Sequence, residues 1–354
     1  MQKTGPTSCS TCFFTDEFPG VTIEDNGRCS VCNSYGEPAG TGERSDAKLS
    51  ELKDEILRLK GDSKSKYDCI IGCSGGLDSS YVLYVVRKML GLNPLIVHYD
   101  SGFVHELPKR NLREMCERLD VDLIVEQSAK RHDHRYLRAM ARALRGSGLF
   151  WGVCRFCHYV LSAAVYRHAL ARDIRVLMSS DNIYEKNLHM DRGYKRQLMK
   201  RAVMGGGLLG LPRFAWWFAV ASYHLLRLRL EYYVPPVRTL FRTAPAMPPS
   251  IGRVNVTKYV PWEIDRMVEE LAEVGWRAPE GTKLPMRFDC MIEDGFMNRT
   301  YKEVGGLTIH GIICNNMIYE GLRTKDDLEQ DVASYAAGVQ RNIDETFERL
   351  GLRK

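Results

Sequence analysis

Residues 67–90 read YDCIIGCSGGLDSSYVLYVVRKML. An apolar run, Cys69–Cys73, meets a glycine turn and then apolar residues at helical spacing, which predicts a buried strand, a loop and a helix. Gly75 and Gly76 let the backbone approach a ligand closely. The N–H groups of the turn and of the first helical residues then point at an anion, with the helix dipole in support. Ser74, Ser79 and Ser80 add hydroxyl donors around Leu77. Asp78 beside a phosphate calls for Mg²⁺ or a backbone amide as its partner. No Lys-Ser/Thr pair follows the glycines, so the loop differs from the Walker type.

Working outward, NPLIVHYD and VDLIVEQ predict a second and a third strand, and DIRVLMSSDN a fourth. Helical patterns lie between them at Arg110–Leu119, 131–146 and 158–171, and a further helix at Leu49–Lys60 precedes the first strand. Strands alternating with helices predict an α/β fold with a doubly wound parallel sheet. The expected organisation is a cysteine-paired segment at 1–35, a linker and helix at 36–65, and a nucleotide domain at 66–203. An apolar, aromatic helical insertion at 204–250 follows, and then a C-terminal helical part at 251–354 that completes the domain. Within the insertion, 204–235 carries Trp216 and Trp217 with Arg213, Arg227 and Arg229 interspersed. Its longest uncharged run, Phe214–Leu226, falls short of the ~20 residues of a spanning helix. It reads as a helix packed on the core or a partner, or as an interfacial helix resting on a membrane.

The 354 residues are 44% apolar and 27% charged, which supports a sizeable core and excludes a disordered chain. A net charge of +6 permits an anionic ligand and argues against a dedicated nucleic-acid binder. Residues 130–145 (KRHDHRYLRAMARALR) form the densest basic run and read as a solvated helix face. The N-terminal MQKTGPTSCSTC has no apolar h-region, so a cytoplasmic protein is expected, with peripheral contact at the inner membrane face through 204–235. In a reducing compartment the eleven cysteines suggest metal or redox chemistry rather than disulfides.

Cys9-x-x-Cys12 and Cys29-x-x-Cys32, separated by 16 residues, have the spacing of two zinc knuckles. Four thiolates leave no open coordination position, so this zinc is structural. Cys154-x-x-Cys157 is a second pair, with Cys290 as the preferred third ligand and Cys314 the second choice. Three thiolates suit a [4Fe–4S] cluster with one open iron; a redox dithiol and simple core packing stay open. Cys69, Cys73 and Cys116 fall in apolar patterns and read as core.

The string Ser74–Ser80 resembles the signature of the PP-loop ATP pyrophosphatases, a family with a doubly wound α/β domain that cleaves ATP between the α and β phosphates. The resemblance implies that this loop holds the departing pyrophosphate. It implies that Asp100, in Tyr99-Asp100-Ser101-Gly102, lies beside the nucleotide, and that Ser180 and Asp181 lie by the adenylate. Over most of the chain the pattern also resembles the N-acetyl sugar amidotransferases of surface-polysaccharide synthesis. That pattern includes the knuckle, the phrase Gly91-Leu92-Asn93-Pro94-Leu95, the aromatic pair Phe150-Trp151 and the pair Asp289-Cys290. This implies ATP and Mg²⁺ as cosubstrates, an N-acetyl sugar as acceptor, and ammonia from a glutaminase that works with a (β/α)₈ partner. Asp78 would contact magnesium, and Lys283 and Arg287 would stabilise the α-phosphate. Two alternatives remain: a tRNA thiolase using an iron–sulfur cluster on Cys154, Cys157 and Cys290, and a non-catalytic zinc-knuckle adaptor.

Overall fold

The computed structural model describes residues 6–18, 20–35, 44–143, 155–180, 210–233, 245–280, 282, 284–286, 288–299 and 306–352. Its centre is a sheet of five parallel strands in the order β3-β2-β1-β4-β5. These are β1 (Cys69–Gly72), β2 (Pro94–Tyr99), β3 (Leu123–Glu126), β4 (Val176–Ser179) and β5 (Gly252–Asn255). All six side chains of β2 are buried, as are Cys69, Ile70 and Ile71 of β1. Their apolar composition matches a strand covered on both faces. The edge strand β3 is half-exposed, with Val125 50% accessible.

In chain order, α1 (Ser30–Ser34) closes the cysteine segment and α2 (Asp46–Lys60) precedes the sheet. Then come α3 (Leu77–Tyr84), α4 (Glu106–Leu119), α5 (His132–Ala143) and α6 (Arg155–Ala171). They are followed by α7 (Gly210–Glu231), α8 (Ile264–Ala272), α9 (Ile309–Tyr319) and α10 (Lys325–Arg349). Several helices begin earlier than the apolar period suggested. The side chain of Ser45 accepts from the Lys48 amide and starts α2 at Asp46. Pro108 sits in the first turn of α4, where its missing N–H costs nothing.

Strand β5 lies where only helices were expected. It pairs with β4 from Val176↔Gly252 to Ser179↔Asn255. Strands β1–β3 build outward to one side, and β4 and β5 continue on the other side of β1. The chain therefore reverses its direction of winding between β1 and β4, and ligands of open α/β sheets bind beyond the strand ends at such a point. The cysteines Cys69, Cys73 and Cys116 are buried, as their apolar context predicted.

Helix α7 takes up 22 residues of the apolar insertion. Among the described residues no helix is long and apolar enough to cross a membrane. One side of α7 packs along α5. There Arg142 lies over the Trp217 ring at 4.5 Å, and His132 Nδ1 meets His224 Nδ1 at 3.1 Å.

Candidate functional site

The glycine loop leaves the end of β1, beside β4, and opens α3. Ser79 Oγ accepts from the Ser74 amide at 3.2 Å and lies 3.2 Å from Ser74 Oγ. Ser74 Oγ accepts in turn from the Gly76 amide at 3.2 Å. The hydroxyls thus tie the loop to the first turn of the helix it precedes. Gly75 has φ +86°, and a Cβ there would stand 2.1 Å from the Pro108 carbonyl oxygen of α4. Only glycine meets both demands. Its own carbonyl accepts from Trp276 Nε1 at 3.1 Å.

Two carboxylates border this loop. Asp78 lies in the first turn of α3, and its Oδ1 accepts from Trp262 Nε1 at 2.6 Å. Asp289 covers Gly76 so closely that a Cβ there would lie 3.2 Å from the Asp289 Cγ. The 289–291 segment is strapped to the loop after β2: the His105 amide donates to Asp289 O at 3.2 Å, and the Met291 amide to Phe103 O at 2.9 Å. Cys290 forms a bridge with Val104 within the same strap. The strap therefore carries both Asp289 and Cys290 to the phosphate-loop end of the sheet.

Asp100 follows β2 directly. Its Oδ1 accepts from the Gly102 amide at 2.8 Å, and Lys109 Nζ lies 3.1 Å from Oδ2. Burial would raise this acid, but the Gly102 amide and Lys109 outweigh it and hold the carboxylate below its usual range. Beneath the loop, His98 Nδ1 donates to the Cys73 carbonyl at 2.8 Å, and burial pushes its pKa down. Since a carbonyl only accepts, the proton of neutral His98 is on Nδ1. On the opposite side of β2, Tyr99 donates to Asp133 at 3.0 Å. Burial holds Tyr99 protonated, with the charges of Asp133 and Cys157 acting in the same direction.

Of the residues singled out from the sequence, Ser74–Ser80 come together with Asp100 and the strap bearing Cys290. Ser180 follows the neighbouring β4. Asp181, Lys283, Arg287 and Cys154, like Phe150 and Trp151, lie outside the described residues. Cys314 is fully buried in α9, where burial pushes its thiol up. Lys109, His98, Trp262 and Trp276, and the position of Asp289 over the loop, were not legible as site features. The two tryptophans reach the loop from 184 and 201 residues away, a distance that no local pattern encodes.

The cysteine segment forms a second centre. The Sγ atoms of Cys9, Cys12, Cys29 and Cys32 all lie within 4.8 Å of one another and all four residues are buried. Cys9–Cys32 measures 3.8 Å and Cys12–Cys29 3.6 Å. A tetrahedral zinc with bonds of about 2.3 Å places its sulfurs roughly 3.8 Å apart, so the geometry fits that ion. Amides supply partial positive charge: Thr11 N and Cys29 N donate to Cys9 Sγ at 3.4 and 3.2 Å. Against the burial that raises it, such amide bonds bring the Cys9 thiol down to about 7. Tyr319 of α9 donates to Cys12 Sγ at 3.4 Å.

No family model matches the chain. A stretch of 83 residues, 23% of this chain, is 29% identical to the glutamine-hydrolysing GMP synthase of Thermosipho africanus. An 83-residue stretch is 34% identical to the corresponding enzyme of Thermosipho melanesiensis. In both cases the match spans only 15% of the relative's length. These matches indicate the PP-loop ATP pyrophosphatase superfamily. Among solved structures, the chain aligns with the U34-tRNA thiolase NcsA of Methanococcus maripaludis, which carries a [4Fe-4S] cluster. That alignment covers 87% of this chain and 82% of NcsA at 13% identity, with a TM-score of 0.35. So distant a likeness carries no functional weight. Within the PP-loop itself, the contact between Trp262 and Asp78 is open to a direct test. Trp262→Phe keeps the edge-on packing against Tyr81, at 5.3 Å, but removes the donor to Asp78. Hydrogen bonds to charged groups contribute about 1.5–3 kcal/mol. If Asp78 serves a Mg·ATP site, the expected result is weaker Mg·ATP binding by calorimetry, with a melting temperature lowered by a few degrees through loss of the internal bond. Unchanged affinity would remove Trp262 from the site.

Proposed function

We propose that this chain is an AMP-forming, ATP-dependent amidotransferase acting on the acetamido group of a nucleotide-linked N-acetyl sugar. The observation that carries the ATP chemistry is the loop Ser74–Ser80 at the switch point of the sheet, closed in by Asp78 and Asp289. The acceptor rests on the sequence resemblance to the N-acetyl sugar amidotransferases of surface-polysaccharide synthesis.

In this reading the acetamido oxygen attacks the α-phosphorus and the bond to the β-phosphate bridging oxygen breaks. The loop amides and the Ser74, Ser79 and Ser80 hydroxyls hold the departing pyrophosphate. Asp78 and Asp289 would hold Mg²⁺ through hard oxygen donors, and the ion would neutralise charge on the phosphates. Ammonia then attacks the imidate carbon and the C–O bond to AMP breaks, leaving an acetamidino group. Lys283 and Arg287 are assigned to the α-phosphate, and Ser180 and Asp181 to the adenylate. Asp100 is assigned to the nucleotide, with Lys109 and the Gly102 amide fixing its carboxylate. A glutaminase and a (β/α)₈ partner are proposed as the ammonia supply. The local similarity to GMP synthases, glutamine-hydrolysing by name, supports a nitrogen nucleophile.

A second reading is favoured by the cysteine positions: Cys290 shares its strap with Asp289 at the glycine loop, and Cys157 on α6 acts electrostatically on Tyr99 of β2. With Cys154 they would supply three thiolates, the ligand set for a [4Fe–4S] cluster in a tRNA thiolase. Anaerobically purified protein separates the two. AMP release from ATP is measured with UDP-N-acetyl sugars and ammonium, and separately with unmodified tRNA and sulfide. AMP formed with sugar and ammonium is the expected result. AMP formed only with tRNA and sulfide overturns the amidotransferase, and no AMP under any condition favours the zinc-knuckle adaptor.

A further inference from the structure

Helix α7 leaves one face unused by the fold. Trp216 is 66% exposed, Leu211 59%, Tyr223 57%, Leu230 48%, Phe218 47% and Leu226 41%. At about 3.6 residues per turn these positions share roughly half of the helix circumference. An uncovered apolar face of this size marks a contact surface. The opposite face is anchored. Besides the Arg142–Trp217 and His132–His224 contacts, Glu231 accepts from the Ala129 amide at 2.7 Å and from Ser128 Oγ at 3.2 Å. The exposed face is therefore held in a fixed orientation.

Charge identifies what this face meets. Alongside α7, the neighbouring loop and α5 expose Lys130 and Arg135 near the His132–His224 contact, and α7 itself exposes Arg227. Among the described residues of these two helices no carboxylate is exposed: Asp133 is buried against Tyr99, and Glu231 is engaged at the start of α5. An apolar, aromatic face flanked by cations and free of exposed anions is the complement of an anionic phospholipid surface.

We infer that α7 lies in the interface of an anionic bilayer, with Trp216, Phe218 and Tyr223 at headgroup depth and Lys130, Arg135 and Arg227 on the lipid phosphates. The ligand class is an anionic phospholipid surface. The inference is independent of which acceptor the PP-loop serves.

The test is flotation of the full chain with vesicles of phosphatidylcholine alone and of phosphatidylcholine mixed with phosphatidylglycerol. Binding to the mixed vesicles, weakened by added salt, is expected, with tryptophan emission quenched by brominated lipid. The double variant Trp216→Asp/Phe218→Asp is expected to lose at least about tenfold in vesicle affinity. It should retain zinc content and ATP affinity, because both side chains are exposed and neither takes part in the contacts that build either centre. Arg135→Gln/Arg227→Gln should lose the preference for phosphatidylglycerol and keep its fold. No binding to either vesicle overturns the inference. So does a dimer in solution that the Trp216→Asp/Phe218→Asp variant converts to monomer, which would assign the face to a second copy of the chain.

Discussion

Gly75→Ala is expected to abolish most ATP turnover while leaving the chain folded, whereas Gly91→Ala is expected to stay folded and keep its turnover. Both glycines have positive φ, +86° and +68°, so each alanine carries the same left-handed penalty of about 1–2 kcal/mol. Their surroundings differ. A Cβ on Gly91 meets nothing within 4 Å, whereas on Gly75 it stands 2.1 Å from the Pro108 carbonyl oxygen and 2.7 Å from its carbonyl carbon. Pro108 belongs to the first turn of α4 and cannot rotate aside as a side chain would. The loop must move instead, and with it the amides that the proposed reading assigns to the phosphates. A displacement of about 1 Å in a positioned reactant costs on the order of a hundredfold. Pyrophosphate release and ATP affinity should therefore fall by about that factor in Gly75→Ala. Gly91→Ala should show a modest loss in melting temperature, and Gly75→Ala a larger one because its Cβ also displaces the loop. Equal activity in both would mean that the loop does not set the phosphate geometry.

That contrast also marks what a single sequence discloses. The β1–loop–α3 unit is local: strand, turn and helix follow one another within the stretch Tyr67–Leu90, so period and glycine placement suffice to read it. Strand β5 is only four residues, Gly-Arg-Val-Asn, and acquires its identity from pairing with β4 some 75 residues earlier. Nothing in its composition separates it from a loop. The same holds for the walls of the site. Lys109 reads as an ordinary solvated lysine on an amphipathic helix until the fold sets it 3.1 Å from Asp100. Asp289 was visible as half of a pair with Cys290, but its place over Gly76 depends on the strap to Phe103–His105. The knuckle was legible as a metal centre from spacing alone; where it docks was not.

That docking makes zinc removal the second large effect. The cysteine segment is too small to bury a core of its own, so a metal held by its four thiolates would supply its folding energy, about 10–16 kcal/mol in isolated zinc peptides. Here the folded knuckle also holds the C-terminal helices. The Phe13 amide donates to Asn315 Oδ1 at 2.8 Å, and Lys325 Nζ donates to the Cys9 carbonyl at 2.8 Å. Tyr35 donates to Glu320 at 2.5 Å and stacks on Tyr319 with ring centroids 4.9 Å apart. Buried Asn315 and Tyr319 are thus partnered across the interface, and loss of the knuckle would strand polar groups at a cost of about 1–3 kcal/mol each. Cys32→Ser or exhaustive chelation should therefore lower the melting temperature by many degrees and raise hydrogen exchange in α9 and the start of α10. The β1–β3 sheet, which the knuckle does not touch in these contacts, should keep its protection longest. One zinc per chain is expected in the parent protein and less in the variant. A metal-free variant with unchanged protection in α9 would show that the helices stand without the knuckle. Strong loss in α9 would establish the knuckle as the clasp between the two ends of the described chain.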